Sequence, residues 1–181
     1  MKDSIRLFVA AALPPLLLGK LQEQTHPYAH PAVRMMPAQN LHLTLYFIGN
    51  VAARELESIK SRVAQVAGRQ QRFTLLLSSI EPGPKPRHPR LVWARFAPHP
   101  AFEALSLDLA QALSPQPVTK LKAIPHITLA RFRKDAPPPL HLPTLTSQEP
   151  LKLPVHEIAL WQSVLGSPHP TYSILHRYPL R

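Results

Sequence analysis

The 181-residue sequence predicts an α+β fold built as two similar lobes, and three observations carry that reading. Apolar runs of strand length alternate with stretches of helical spacing. This helix and strand pairing recurs along the chain, as layered α+β architectures require. Each half also contains a strand-like His-x-Thr-Leu segment, His42-Leu43-Thr44-Leu45 and His126-Ile127-Thr128-Leu129. The length suits one domain spanning residues 1–181, and a hydrophobic content of 45% is enough to bury a core in both lobes.

Residues Ile5 to Ala12 form an apolar run suited to a buried strand, and Pro14-Pro15 then opens a helix, because proline is tolerated in a first turn. That helix turns Leu17, Leu18 and Leu21 inward and ends before Pro27. From Leu41 to Ile48 the pattern alternates, with Leu41, Leu43 and Leu45 on one face and His42, Thr44 and Tyr46 on the other. On the same alternation Phe47 faces the core unless the strand bulges at its end. Asn50 is placed to cap a helix carrying Leu56, Ile59, Val63 and Val66 at helical spacing, and Gly68 stops it. Strands follow at Phe73 to Ile80 and Leu91 to Phe96, joined by a proline-rich basic loop from Pro82 to Arg90 that includes Pro86. A helix from Ala101 to Leu113 precedes a strand from His126 to Phe132. The segment from Ala136 to Pro154 reads as a connector, and Val155 to Leu165 with Thr171 to Tyr178 as a closing pair of strands.

Twenty-one Lys and Arg stand against ten Asp and Glu, so the formal charge of +11 favours polyanionic partners, with RNA, DNA and nucleotides first. The absence of cysteine excludes disulfides, thiolate metal centres and redox thiol chemistry, and it fits a reducing compartment. Lys2 and Arg6 before the apolar Leu7 to Leu13 imitate a secretory leader, but Asp3 and Pro14-Pro15 interrupt that pattern. No apolar stretch approaches the length of a membrane span. The expectation is a cytoplasmic protein with no membrane partner, working as a monomer.

Ten histidines and eight threonines among 181 residues lead by chance to about 0.4 His-x-Thr triplets, and three occur. The third, His169-Pro170-Thr171, contains proline and reads as a turn. The other two share an apolar central residue, a following leucine and a strand setting. On a strand, residues two apart face the same way, so each motif presents one imidazole and one hydroxyl together. Two such faces suit displacement at phosphorus, where the entering and leaving oxygens lie on opposite sides and one group accepts a proton while another donates one. Histidine can do either near neutral pH, and the Thr44 and Thr128 hydroxyls can donate to non-bridging oxygens.

These segments resemble the two-histidine phosphoesterase superfamily, and their surroundings resemble its RNA 2′,3′-cyclic phosphodiesterase branch, historically called the 2′-5′ RNA ligase family. Arg6-Leu7-Phe8-Val9-Ala10 is similar to that family's first strand, Asn40 through Gly49 to its first motif, and Pro125 through Arg131 to its second. Leu160, Ser163 and Tyr172 fit its closing hairpin, where Pro168 stands at a position often held by glycine. The resemblance implies a bilobal α+β fold, with two pseudo-symmetric lobes of antiparallel sheet and outer helices around a central cleft. It implies metal-free hydrolysis of a terminal 2′,3′-cyclic phosphate to a 2′-phosphate, with His42 as proton donor and His126 as proton acceptor. Thr44, Thr128 and Arg131 then bind the substrate, an RNA or nucleotide bearing the cyclic phosphate, with Tyr46 and Tyr172 as further contacts.

No cofactor and no metal are expected. His-Asp and HExxH are absent, and the glycines at 19, 49, 68, 83 and 166 form no phosphate loop, so any ligation must be ATP-free. ATP-independent 2′-5′ joining and a non-catalytic basic RNA-binding module are the alternatives. Lys85, Arg87, Arg90 and Arg95 are candidates to track an RNA backbone, whereas Trp93 and Trp161 read as core.

Overall fold

A computed structural model describes residues 3–85, 87–137, 139–147 and 149–181, so Lys2 and Pro86 lie outside the described residues. Its strands are β1 (Ser4–Ala12), β2 (Val33–Met35), β3 (His42–Ala52), β4 (Phe73–Gly83), β5 (Leu91–Phe96), β6 (His126–Phe132), β7 (Lys152–Val155), β8 (Glu157–Val164) and β9 (Thr171–Pro179). The helices are α1 (Pro15–Glu23), α2 (Leu56–Ala67) and α3 (Pro100–Leu113). Every strand pairing is antiparallel, in a four-stranded sheet ordered β3-β1-β8-β9 and a five-stranded sheet ordered β2-β6-β5-β4-β7. The fold is the two-lobed α+β arrangement the alternation predicts, with one His-x-Thr strand in each sheet.

Alternation decides what the sheets bury. Leu7 and Val9 of β1, Leu43 and Leu45 of β3, and Ile127 and Leu129 of β6 enter one core. Ile59 and Val63 of α2 and Leu105 and Leu109 of α3 close over it. The opposite face of the four-stranded sheet carries a smaller cluster of Phe8, Ala10, Ala159 and Trp161. Both tryptophans are buried, as their strand-like settings predict.

Several boundaries differ from the sequence expectation because backbone pairing overrides a local signal; β4, for one, runs past Ile80 into the expected loop, with Pro82 and Gly83 paired to Val92 and Leu91. Asn50 caps nothing: β1 continues to Ser4, so β3 stays paired through Ala52, with Asn50 opposite Arg6. The helix begins only at Leu56, after a turn in which the Glu55 carboxylate accepts the Ala52 N–H at 3.1 Å. Within the expected connector, Lys152–Val155 joins the sheet against Phe73 to Leu76, where Pro154 is tolerated because β7 is an edge strand. The three-residue β2 is too short to show a period, and only its pairing with β6 defines it.

A slip in β3 matters more for function. Leu7 pairs with Gly49 but Phe8 pairs with Phe47, so Ile48 is left over as a bulge, and Gly49 supplies the positive φ of 90° that such a bulge uses. A second slip lies between Val9 and Ala10, which pair with Tyr46 and Thr44. Between the two slips the alternation is reversed, and beyond Ile48 it returns. Phe47 joins the face of Phe8 and is 48% exposed, while Tyr46 joins the face of Val9 and packs against the core.

Two glycines make a matched pair of stability tests. A Cβ on Gly83 meets the Trp93 indole at 2.6 Å, so Gly83→Ala is expected to cost about 1–3 kcal/mol by overpacking. A Cβ on Gly19, inside α1, meets nothing within 4 Å, so Gly19→Ala is expected to stabilise by about 0.5–1 kcal/mol. Urea denaturation should move the two midpoints in opposite directions, and equal shifts would contradict this packing.

Candidate active site

The two motifs open onto one cleft of about 480 Å³, whose lining includes His42, Thr44, His126, Thr128 and Arg131. His42 and Thr44 stand at the start of β3, and His126 and Thr128 at the start of β6, where the two sheets approach each other. A larger cavity of about 650 Å³ lies at the far end of β3, beside Asp3, Arg54 and Arg62, and contains neither motif.

Each imidazole is held in the same way. His42 Nδ1 lies 2.7 Å from the carbonyl of Asn40, and His126 Nδ1 lies 2.7 Å from the carbonyl of Ile124. A carbonyl only accepts, so Nδ1 carries the hydrogen in both rings. Nε2 is then left for the cleft, as a base when unprotonated and as an acid when protonated. The short turn Ala38–Asn40 aims the first carbonyl, and its Asn40 Nδ2 donates to the Pro170 carbonyl at 2.8 Å, fastening the turn to the β8–β9 hairpin.

The two rings differ in their packing. His42 is surrounded by aromatic groups, with ring centroids at 4.8 Å to Phe8, 5.7 Å to Trp161 and 5.3 Å to Tyr172. His126 has Trp93 at 5.0 Å. Burial pushes the His42 imidazole down to about 4; the Asn40 carbonyl opposes this, and the charges of His126 and Arg131 reinforce it. His126 is lowered too, chiefly by burial, with the Ile124 carbonyl opposing and Arg131 adding to the effect. In the empty cleft both rings therefore favour the neutral form at neutral pH.

Of the residues singled out from sequence, the cleft brings together His42, Thr44, His126, Thr128, Arg131 and Tyr172. Tyr172 presents its ring edge to His42 at an interplanar angle of 81°. Tyr46 does not line the cleft, because the slip at Leu45 turns it to the core, and Phe47 takes the place expected of it. Sequence reasoning missed Arg6, Phe8, Asn40 and Ser163. Arg6 and Ser163 are cross-strand partners, and the Arg6 guanidinium lies 4.8 Å from the centroid of the Phe47 ring. The signal for Arg6 and Phe8 was their period-two spacing, hidden because β1 is apolar on both faces. Lys85, Arg87 and Arg90 are exposed but do not line the cleft, and Arg95 pairs with Glu81 at 3.4 Å. Among the described residues, no three His, Cys, Asp or Glu side chains gather as a metal site, and no helix is long and apolar enough to cross a membrane.

Comparison with known proteins agrees with this geometry. The sequence profile of the 2′-5′ RNA ligase superfamily matches residues 13–166. An RNA 2′,3′-cyclic phosphodiesterase of Thermus thermophilus is 31% identical over 186 residues, covering 98% of this chain and 91% of that protein. The crystal structure of TT0787 of Thermus thermophilus superposes with a TM-score of 0.84 at 27% identity, over 98% of both chains. E. coli LigT complexed with 3′-AMP superposes with a TM-score of 0.77 at 28% identity, over 98% of this chain and 99% of that one.

The tautomers and the lowered imidazoles can be read directly by nitrogen NMR. Both rings are expected to be Nδ1-protonated and neutral at pH 7, and adding inorganic phosphate should raise both midpoints. A midpoint for His42 at or above the usual 6.5 in the free protein would contradict the buried setting. The sign for stability follows: between about 4 and 6.5 the unfolded chain takes up a proton that the folded His42 refuses, so stability falls as pH drops through that window.

Proposed function

Because this chain belongs to the 2′-5′ RNA ligase superfamily, we propose that it opens a terminal 2′,3′-cyclic phosphate of RNA to a 2′-phosphomonoester. The observation that carries this reading is the pair of imidazoles, each tied through Nδ1 to a carbonyl two residues upstream and each lining one cleft.

In this reading water attacks phosphorus in line with the 3′-oxygen. His126 Nε2 takes the water's proton as the new P–O bond forms, and His42 Nε2–H gives its proton to the 3′-oxygen as the P–O3′ bond breaks. The phosphate stays on the 2′-oxygen. Thr44 and Thr128 donate to the non-bridging oxygens, and Arg131 supplies positive charge beside them. Phe47, with Arg6 over one face, offers a platform for the terminal base. The anionic substrate itself raises the His42 imidazole from about 4, so that binding loads the acid. If a 5′-hydroxyl of a second strand replaces water, the same proton transfers make a 2′-5′ linkage without ATP.

No step uses a metal or cofactor. The reading includes a single-domain monomer, since both halves of the acid–base pair come from one chain, and a cytoplasmic setting, in keeping with the cysteine-free sequence and an RNA substrate.

Hydrolysis of a nucleoside 2′,3′-cyclic phosphate is expected to survive EDTA and to leave a 2′-phosphate. Loss of activity restored by zinc, or a 3′-phosphate as main product, would overturn the mechanism. His42→Ala and His126→Ala should each lower kcat on the order of 10²-fold or more, and the double variant should lose much less than their product. The rate should follow a bell in pH, its basic limb lying at higher pH for kcat than for kcat/KM because bound phosphate favours the imidazolium. Coincident limbs would show that the substrate does not load the acid.

A further inference from the structure

Beside the catalytic cleft lies a second cavity, also of about 480 Å³, which shares Met36, Arg131 and Pro170 with it. One wall is the pairing of β2 with β6, where Arg34 and Arg131 are direct cross-strand partners. Residues opposite each other on antiparallel strands share a face, and like charges so placed destabilise the pair. Neither guanidinium has a carboxylate partner among the described residues. Arg34 Nη1 instead donates to the Pro168 carbonyl at 3.0 Å, which ties β2 to the β8–β9 hairpin and holds the guanidinium at the cavity.

Arg133 and Lys134 add to the positive lining. Asp135 is the acidic group there, and it is committed to Arg133 through bonds of 3.0 and 2.8 Å that hold its carboxyl down at about 2. Arg131 and Lys134 are left facing the cavity without a carboxylate partner among the described residues, and Arg34 feels the Asp135 charge without bonding to it. Arg131 also depresses both catalytic imidazoles, so its charge reaches the first cleft as well as the second.

We propose that this second cavity is an anion subsite for the phosphodiester that precedes the terminal nucleotide, so that the enzyme holds a strand end of at least two nucleotides. The proposal rests on the reading of the first cleft as a cyclic phosphodiesterase site. Arg131, common to both cavities, serves two phosphates that are neighbours on one strand. A phosphate group placed between Arg34 and Arg131 converts their cross-strand repulsion into two charge-assisted contacts. The exposed Arg90 stands beside this wall, since its carbonyl accepts the N–H of Phe132, which lines the cavity, at 3.0 Å.

Binding tests the subsite independently of turnover. A nucleoside 2′-phosphate and a trinucleotide with the same 2′-phosphate end are titrated against the full-length protein in low and moderate salt. The trinucleotide is expected to bind about 10-fold or more tightly, with a log–log salt slope steeper by about 0.7 for each extra phosphate contacted. Arg34→Gln and Lys134→Gln should each remove several-fold of that advantage and leave the mononucleotide affinity unchanged. Lys134 is exposed in a turn, so its variant separates loss of charge from any loosening where Arg34 joins the hairpin. Equal binding of both ligands, a full length advantage in Lys134→Gln, or an equal loss for both ligands overturns the subsite. Hydrolysis of a nucleoside 2′,3′-cyclic phosphate by the same wild-type preparation decides the first reading separately, because only that reading fails if the ring stays closed.

Discussion

A backbone carbonyl accepts a hydrogen bond and cannot donate one, and this asymmetry sets the state of both imidazoles. The carbonyls of Asn40 and Ile124 each sit 2.7 Å from an Nδ1, so each ring must place its hydrogen there and leave Nε2 for chemistry. The contact is local, spanning two residues, and needs the chain to turn just before a strand begins. Both strands meet that demand, since His42 and His126 are the first residues of β3 and β6. What lies further away keeps those turns in place: Asn40 is pinned to Pro170, and the strand starts are locked by pairing with β1 and β5.

Given that orientation, the surroundings decide how readily each ring takes a proton. Phe8, Trp161 and Tyr172 exclude water around His42 and push its imidazole down to about 4. At His126 the ring of Trp93 packs at 5.0 Å. Arg131 adds repulsion at both rings, so the empty site disfavours the imidazolium. The same charges and buried rings favour an anion between them. In the proposed reaction the bound phosphate would also supply the field that protonates His42.

The cleft face of the four-stranded sheet depends on irregularity as much as on regular pairing. A perfect alternation from His42 would bring Tyr46 to the cleft and bury Phe47. The slips at Leu45 and Ile48 exchange them, and they place Phe47 beside Arg6 at the rim. Gly49, at a φ of 90° that is strained for residues with a side chain, permits the second slip, which restores the alternation so that Asn50 stands opposite Arg6. On the other sheet, the short strand β2 brings Arg34 opposite Arg131, so positive charge extends beyond the first cleft.

By itself the sequence singled out the two histidines that line one cleft. His-x-Thr-Leu repeats on strands dictate that imidazole and hydroxyl share a face, and β5, β6 and α3 could be bounded to within a residue from hydrophobic periodicity. The cysteine-free, strongly basic composition already pointed to anion chemistry without thiols. Tertiary structure alone decided which groups accompany the pair. Arg6, Phe8 and Ser163 lie far from His126 in sequence and line one cleft with it only because the two sheets approach each other. The exchange of Tyr46 for Phe47 and the pairing of Arg34 with Arg131 depend on register, which follows from hydrogen bonds between distant strands. Local periodicity says that residues alternate; only the partner strand determines where that alternation slips and what stands opposite each side chain.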